Sequence, residues 1–99
     1  MLNPTPVDRM VDQGGRLYFM PEMTLERFQK GLADSNPDAR AYLLGKMLRE
    51  ARPDDVFCFV SPQQIADAWP SLEGYLGARR RDFWDGLLTK LEGLGFVCR

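Results

Sequence analysis

The sequence predicts a mainly α-helical single domain, a compact bundle of four to five short helices with room for a minor two-stranded element. Three observations lead to that expectation. The chain has 99 residues, too few for a second hydrophobic core. Residues 37–51 and 78–92 each repeat apolar side chains at helical spacing. Thr24, Asn36 and Ser61 each stand where a helix would need a capping oxygen, and Pro37 and Pro62 follow the last two.

Met1 to Gly15 reads as a flexible leader with its boundary at Gly14-Gly15, which leaves residues 16–99 as the helical domain. Arg16 to Met20 suits a short strand or an apolar anchor. Behind Thr24, the residues Leu25, Phe28 and Leu32 share one face of a helix over about Leu25 to Ala33. Asp34 to Asp38 then breaks the chain and starts the next helix, with Asn36 as cap, Pro37 at the first position and Asp38 favourable to the dipole. This helix runs from Pro37 to about Ala51 and stops before Pro53. Its Ala39, Leu43, Leu44, Met47, Leu48 and Ala51 span so wide an arc that it should lie centrally, packed on two sides.

Val56 to Val60 is short and β-rich, and its length fits a strand or a turn of buried helix equally. Ser61 with Gln64 forms a capping box for a helix holding Ile65, Ala66, Ala68 and Trp69, which Pro70 should end or kink. A second short segment, Leu72 to Leu76, closes at Gly77. The last helix covers Ala78 to Leu91 or Glu92, with Phe83, Trp84, Leu87, Leu88 and Leu91 as one apolar stripe. Gly93 and Gly95 end it, and Phe96-Val97 would add a strand or a packed plug.

The net charge of −1 comes from 13 basic and 14 acidic residues without a basic or acidic tail. A nucleic-acid binder of this composition must concentrate its positive charge locally. No window reaches the roughly 18 apolar residues that a membrane span requires, and no signal peptide is visible, so the expected location is the cytoplasm with no membrane contact. Cys58, within an apolar run, and Cys98, beside the terminus, suit a reducing compartment.

Catalytic chemistry is hard to assemble from this chain. Histidine, the commonest general base and metal ligand, does not occur. Two cysteines forty positions apart supply no four-ligand zinc site, and phosphate-loop, dinucleotide and nucleophile-elbow motifs are missing. Cys58 would lack an activating base. The pairs Asp54-Asp55 and Asp82/Asp85 read as a solvated turn and a solvated helix surface. The expectation is a protein with no catalytic residues, no metal and no cofactor.

Binding features are more visible. Arg79-Arg80-Arg81 is the one basic run. Consecutive helical positions diverge by about 100°, so Arg80 would lean toward the Phe83/Trp84/Leu87 stripe while Arg79 points nearly opposite. Arg40 falls inside the apolar arc of its own helix near the N-terminal end, where it needs a carboxylate or an exit past the helix end. Trp69 and Trp84 suit the core, although Trp84 beside the arginines also matches the composition of interface hot spots. Arg40, Arg79, Arg80, Arg81 and Trp84 are therefore the candidate contact residues for a protein partner or DNA. The DNA alternative is a winged helix, with Ser61 to Ala66 opening a helix-turn-helix and Leu87 to Val97 running from a recognition helix into a wing. The ten-residue connection through Pro70 is long for that motif, and only one wing strand fits before Arg99.

The stretch Tyr18 to Leu88 resembles small bacterial proteins encoded beside AbiEii-type nucleotidyltransferase toxins. The residues concerned are Phe19-Met20-Pro21-Glu22-Met23 with Phe28, Arg40-Ala41-Tyr42 with Gly45-Lys46, and Pro53 to Phe57 leading to Ser61-Pro62. Trp69-Pro70, Tyr75-Leu76-Gly77 and Arg79 to Trp84 complete the resemblance. It implies an antitoxin-like or accessory partner of a nucleotidyltransferase toxin. Taken together, the expected function is a non-catalytic protein-interaction module, with homo-oligomerisation open and DNA-binding regulation as the alternative.

Overall fold

Local capping chemistry sets where three of the four longer helices begin. In the computed structural model, which describes residues 4–99, Thr24 Oγ1 accepts from Arg27 N at 3.3 Å and opens α2 (Leu25–Leu32). The short α1 (Val7–Met10) and the strands β1 (Arg16–Leu17) and β2 (Met20–Thr24) precede it. Asn36 Oδ1 accepts from Asp38 N at 2.9 Å at the head of α3 (Pro37–Glu50). After the one-turn α4 (Pro53–Val56), Ser61 and Gln64 form the full reciprocal box that begins α5 (Pro62–Leu72). A 3₁₀ turn at Glu73–Tyr75 leads to α6 (Ala78–Gly93). Gly95 adopts φ 85°, and the bonds Phe96 N→Leu91 O and Gly95 N→Glu92 O close α6 in a Schellman motif. The domain is thus mainly helical with a minor two-stranded antiparallel element.

That element begins in the run Arg16 to Met20, which suited a short strand or an apolar anchor, and extends beyond it to Thr24. Arg16–Leu17 is β1, Tyr18-Phe19 turns, and Met20 already belongs to β2. Gly15, at φ 77°, supplies the left-handed residue before β1. The proposed boundary at Gly14-Gly15 is crossed by packing and hydrogen bonding. Met10 is fully buried, Val11 bridges to Leu17, and Tyr18 N donates to Met10 O at 2.9 Å. Met1–Asn3, the start of the expected leader, lie outside the described residues.

α3 occupies the centre, in contact with β2, α2, α4, α5, the 3₁₀ turn and α6. Its buried positions are Ala41, Leu43, Leu44, Gly45, Met47 and Leu48, while Ala39, assigned to the apolar arc, is half-buried. Gly45 permits the 3₁₀ turn to approach: a Cβ there would stand 2.9 Å from Tyr75 Cβ. Phe19, Phe28 and Phe59 meet edge to face at 5.3–5.9 Å and fill the space between hairpin, α2 and the turn after α4.

Several alternatives that the sequence left open are decided. Val56 to Val60 is no strand; it is the end of α4 followed by a hydrogen-bonded turn. Pro70 does not terminate its helix, because α5 runs through it to Leu72. No strand follows α6: Val97 is buried as a plug, but Phe96 is exposed. Packing from distant residues decides these cases, and a short apolar run does not encode it.

Candidate functional site

The five sequence-selected residues do not converge on one site. Trp84 is 1% exposed, and its Nε1 donates to Leu48 O at 3.0 Å. It belongs to the core and cannot anchor a partner directly. Trp69, also assigned to the core, is only half-buried. Arg40 takes the second of its two expected routes, past the helix end, and is exposed. Its Nη1 donates to Asp34 O at 2.6 Å, so the side chain turns back past the helix start and meets a carbonyl, not a carboxylate. There it borders an open cleft of about 340 Å³ whose walls include Leu44, Val60, Asp67 and Ser71.

Arg79, Arg80 and Arg81 head α6 and are all exposed, so Arg80 does not enter the stripe interior. Among the described residues, none of the three has an ion pair or a side-chain hydrogen bond. The stripe beside them is only partly covered. Trp84 and Leu88 are buried, Leu87 and Leu91 are half-buried, and Phe83 is 46% exposed. Beyond them Leu94 and Phe96 are 67% and 70% exposed. Periodicity identified the stripe but not its width: α6 carries a broader apolar arc than α3 and α5 can cover.

A second exposed aromatic pair escaped the sequence reading. Tyr42 on α3 and Tyr75 on the 3₁₀ turn meet edge to face at 6.0 Å. Their neighbouring cations are already engaged, Lys46 with Glu22 and Arg49 with Glu50. The hydrogen bond between Lys46 and Glu22 lowers the carboxyl pKa and raises that of the ammonium. On this face the charges serve the fold.

Asp55 overturns the expectation of a solvated acidic turn. It is fully buried and accepts from Thr5 N at 2.6 Å, Thr5 Oγ1 at 2.9 Å and Tyr18 Oη at 2.6 Å. Tyr18 Oη in turn accepts from Arg52 N at 2.9 Å, and Arg52 Nη1 donates to Thr5 Oγ1 at 3.0 Å. Burial pushes the Asp55 carboxyl upward, but the bonds from Tyr18 and Thr5 and the Arg52 charge outweigh it and hold the pKa below its ordinary value. Burial and the bond to Asp55 raise the Tyr18 phenol. Three donors converge on this carboxylate, which reads as a structural tie between the N-terminal segment and α4.

The sign of the resulting pH dependence follows from both shifts. A depressed carboxyl contributes stability above 3.8, its ordinary value, and that contribution is lost as pH falls through the native value. A raised phenol contributes below 10.0 and is lost as pH rises through its native value. Asp55→Asn should therefore lower stability at neutral pH and flatten the acid limb. Denaturant midpoints measured at roughly pH 3 and pH 7 should differ less in the variant than in the parent. An unchanged acid limb would remove Asp55 from this role.

Cys58 is exposed, not enclosed by its apolar run, yet partial burial and the nearby Asp55 charge push its thiol pKa up. A raised pKa disfavours the thiolate that nucleophilic chemistry requires. Among the described residues, no three cysteine, aspartate or glutamate side chains are grouped as a metal site, and no helix is long and apolar enough to cross a membrane. No family model matches the chain, and no curated protein or solved structure matches it either.

Proposed function

We propose that this protein is a non-catalytic interaction module that binds another protein through α6, as an antitoxin-like or accessory partner would. The observation behind this reading is the uncovered part of the α6 stripe. Phe83 stands half-exposed in the first turns of α6 with Arg79, Arg80 and Arg81, which have no ion pair among the described residues, and Leu94 and Phe96 stand in solvent at the other end of the helix. Arginine next to exposed aromatic and aliphatic side chains is the composition of interface anchors. The resemblance to chains encoded beside nucleotidyltransferase toxins makes such a toxin, from the adjacent reading frame, the first partner to co-express.

The DNA-binding alternative draws on the same arginines, which lie at the start of α6 where a recognition helix would meet a groove. Salt dependence separates the two readings. A DNA reader that uses Arg79, Arg80 and Arg81 should lose roughly one unit of log–log salt slope per lost phosphate contact when they become alanine. The expected result is different: weak duplex binding without sequence preference at physiological salt, little changed by the triple substitution. Co-purification with the toxin should be lost in Phe83→Ser. Tight, sequence-specific DNA binding abolished by the triple substitution would overturn the protein-binding reading.

A further inference from the structure

The carboxylates of α6 keep to one flank, shared with Arg81, and this bears on what covers the apolar flank opposite. At about 100° per residue, Arg79, Arg80, Phe83, Leu87, Lys90 and Leu94 fall within an arc of roughly 100° to one side of the buried Trp84. No acidic residue of α6 falls in that arc. Asp82, Asp85 and Glu92 all lie on the opposite flank, where Asp85 pairs with Arg99 at 3.2 Å. Lys90, like the arginines, has no ion pair or side-chain hydrogen bond among the described residues.

We infer that this flank docks an acidic amphipathic helix of a partner protein, with apolar side chains over Phe83, Leu87 and Leu94 and carboxylates reaching Arg79, Arg80 and Lys90. The inference rests on the reading of α6 as the partner surface and adds the chemistry of the partner. Phe83 and Leu94 lie eleven residues apart, about 16 Å along the axis at 1.5 Å per residue. A straight strip of that length, rimmed by cations, complements the apolar face of a second helix about three turns long. A second copy of this chain fits poorly, since facing flanks would bring three uncompensated cations from each side together. A nucleic-acid backbone fits poorly too: it would bury Leu87 and Leu94 against phosphate while the cations diverge around them.

The test uses the uniformly ¹⁵N-labelled full chain and three probes. Two are helical peptides sharing one leucine stripe, flanked in one by glutamates and in the other by lysines. The third is vesicles of phosphatidylglycerol, with phosphatidylcholine vesicles as control. The glutamate peptide should shift the amide signals of residues 79–94 and bind at least roughly tenfold more tightly than the lysine peptide. Arg79→Ala/Arg80→Ala/Lys90→Ala should erase that preference, and Phe83→Ser/Leu94→Ser should weaken both peptides. Asp82→Ala/Glu92→Ala, on the other flank, should not reduce binding. Retained cooperative thermal unfolding will show that each variant folds, with a lowered midpoint expected only where Phe83 loses its contact with Trp84. Equal binding of both peptides through Phe83 would overturn the acidic partner while leaving α6 as a protein-docking surface. Binding of neither peptide, with or without a response to the phosphatidylglycerol vesicles, would overturn the inference; α6-dependent capture of the vesicles alone would also remove the protein-docking reading.

Discussion

Replacing Trp84 by alanine is expected to lower stability by roughly 3–5 kcal/mol, the usual range for a buried aromatic. Two contributions add here. The indole fills the junction of α6 with α3, where Phe57 and Phe83 meet it edge to face at 5.9 and 5.3 Å. Its Nε1 also satisfies Leu48 O, one of the last carbonyls of α3, which have no acceptor role left inside their own helix. The amide that would ordinarily reach Leu48 O, Arg52 N, is turned to Tyr18 Oη. Trp84 thus caps α3 from another helix. Trp84→Phe isolates the second contribution: it keeps a ring but leaves a buried carbonyl unpaired, at a cost of about 1–3 kcal/mol. Chemical denaturation of the three proteins provides the comparison. A phenylalanine variant as stable as the parent would show that the bond contributes nothing.

Leu43→Ala should cost roughly 2–5 kcal/mol, because the side chain is buried in the contact between α3 and Gly31 of α2. The contact is tight enough to give a second, coupled expectation. A Cβ placed on Gly31 would fall 2.2 Å from Leu43 Cδ1. Gly31→Ala alone should therefore destabilise, although alanine favours helix by about 1 kcal/mol over glycine. In the double variant the added methyl enters the space that leucine vacates. The two losses should be less than additive, with a coupling of about 0.5 kcal/mol or more. Additive losses, or a Leu43→Ala loss below about 0.5 kcal/mol, would show that this contact does not hold α2 against α3.

The sequence made some of this architecture readable and concealed the rest, for identifiable reasons. Thr24, Asn36 and Ser61 marked helix starts because a cap acts within three residues, so its signal is local. The central position of α3 was readable because its apolar arc exceeds what one neighbour can cover. Phe83 was misjudged because spacing shows which residues share a face, not how far the opposing surface extends. Arg40 was placed inside the arc by its angle alone; its position in the first turn gave it the route out to Asp34 O. Asp55 was the hardest to read. Nothing beside it distinguishes it from Asp54, and the residues that make its burial tolerable, Thr5 and Tyr18, lie 50 and 37 positions away.

That separation also orders the assembly of the molecule in time. The α2–α3 and α5–α6 neighbours are close along the chain and can meet early, whereas joining Thr5 to Asp55 closes a loop of 50 residues. The entropy of that closure is recovered only once the 18-OH and the backbone at Arg52 stand ready to receive it. The N-terminal segment should be the last part to dock and the first to open, so native-state hydrogen exchange should show the amides of Thr5 and Tyr18 exchanging before those of α3. The same contact sets a limit on trimming. A shortened protein beginning at Gly15 would keep every major helix yet leave a buried carboxylate without two of its three donors, trading a tidy terminus for a weaker fold.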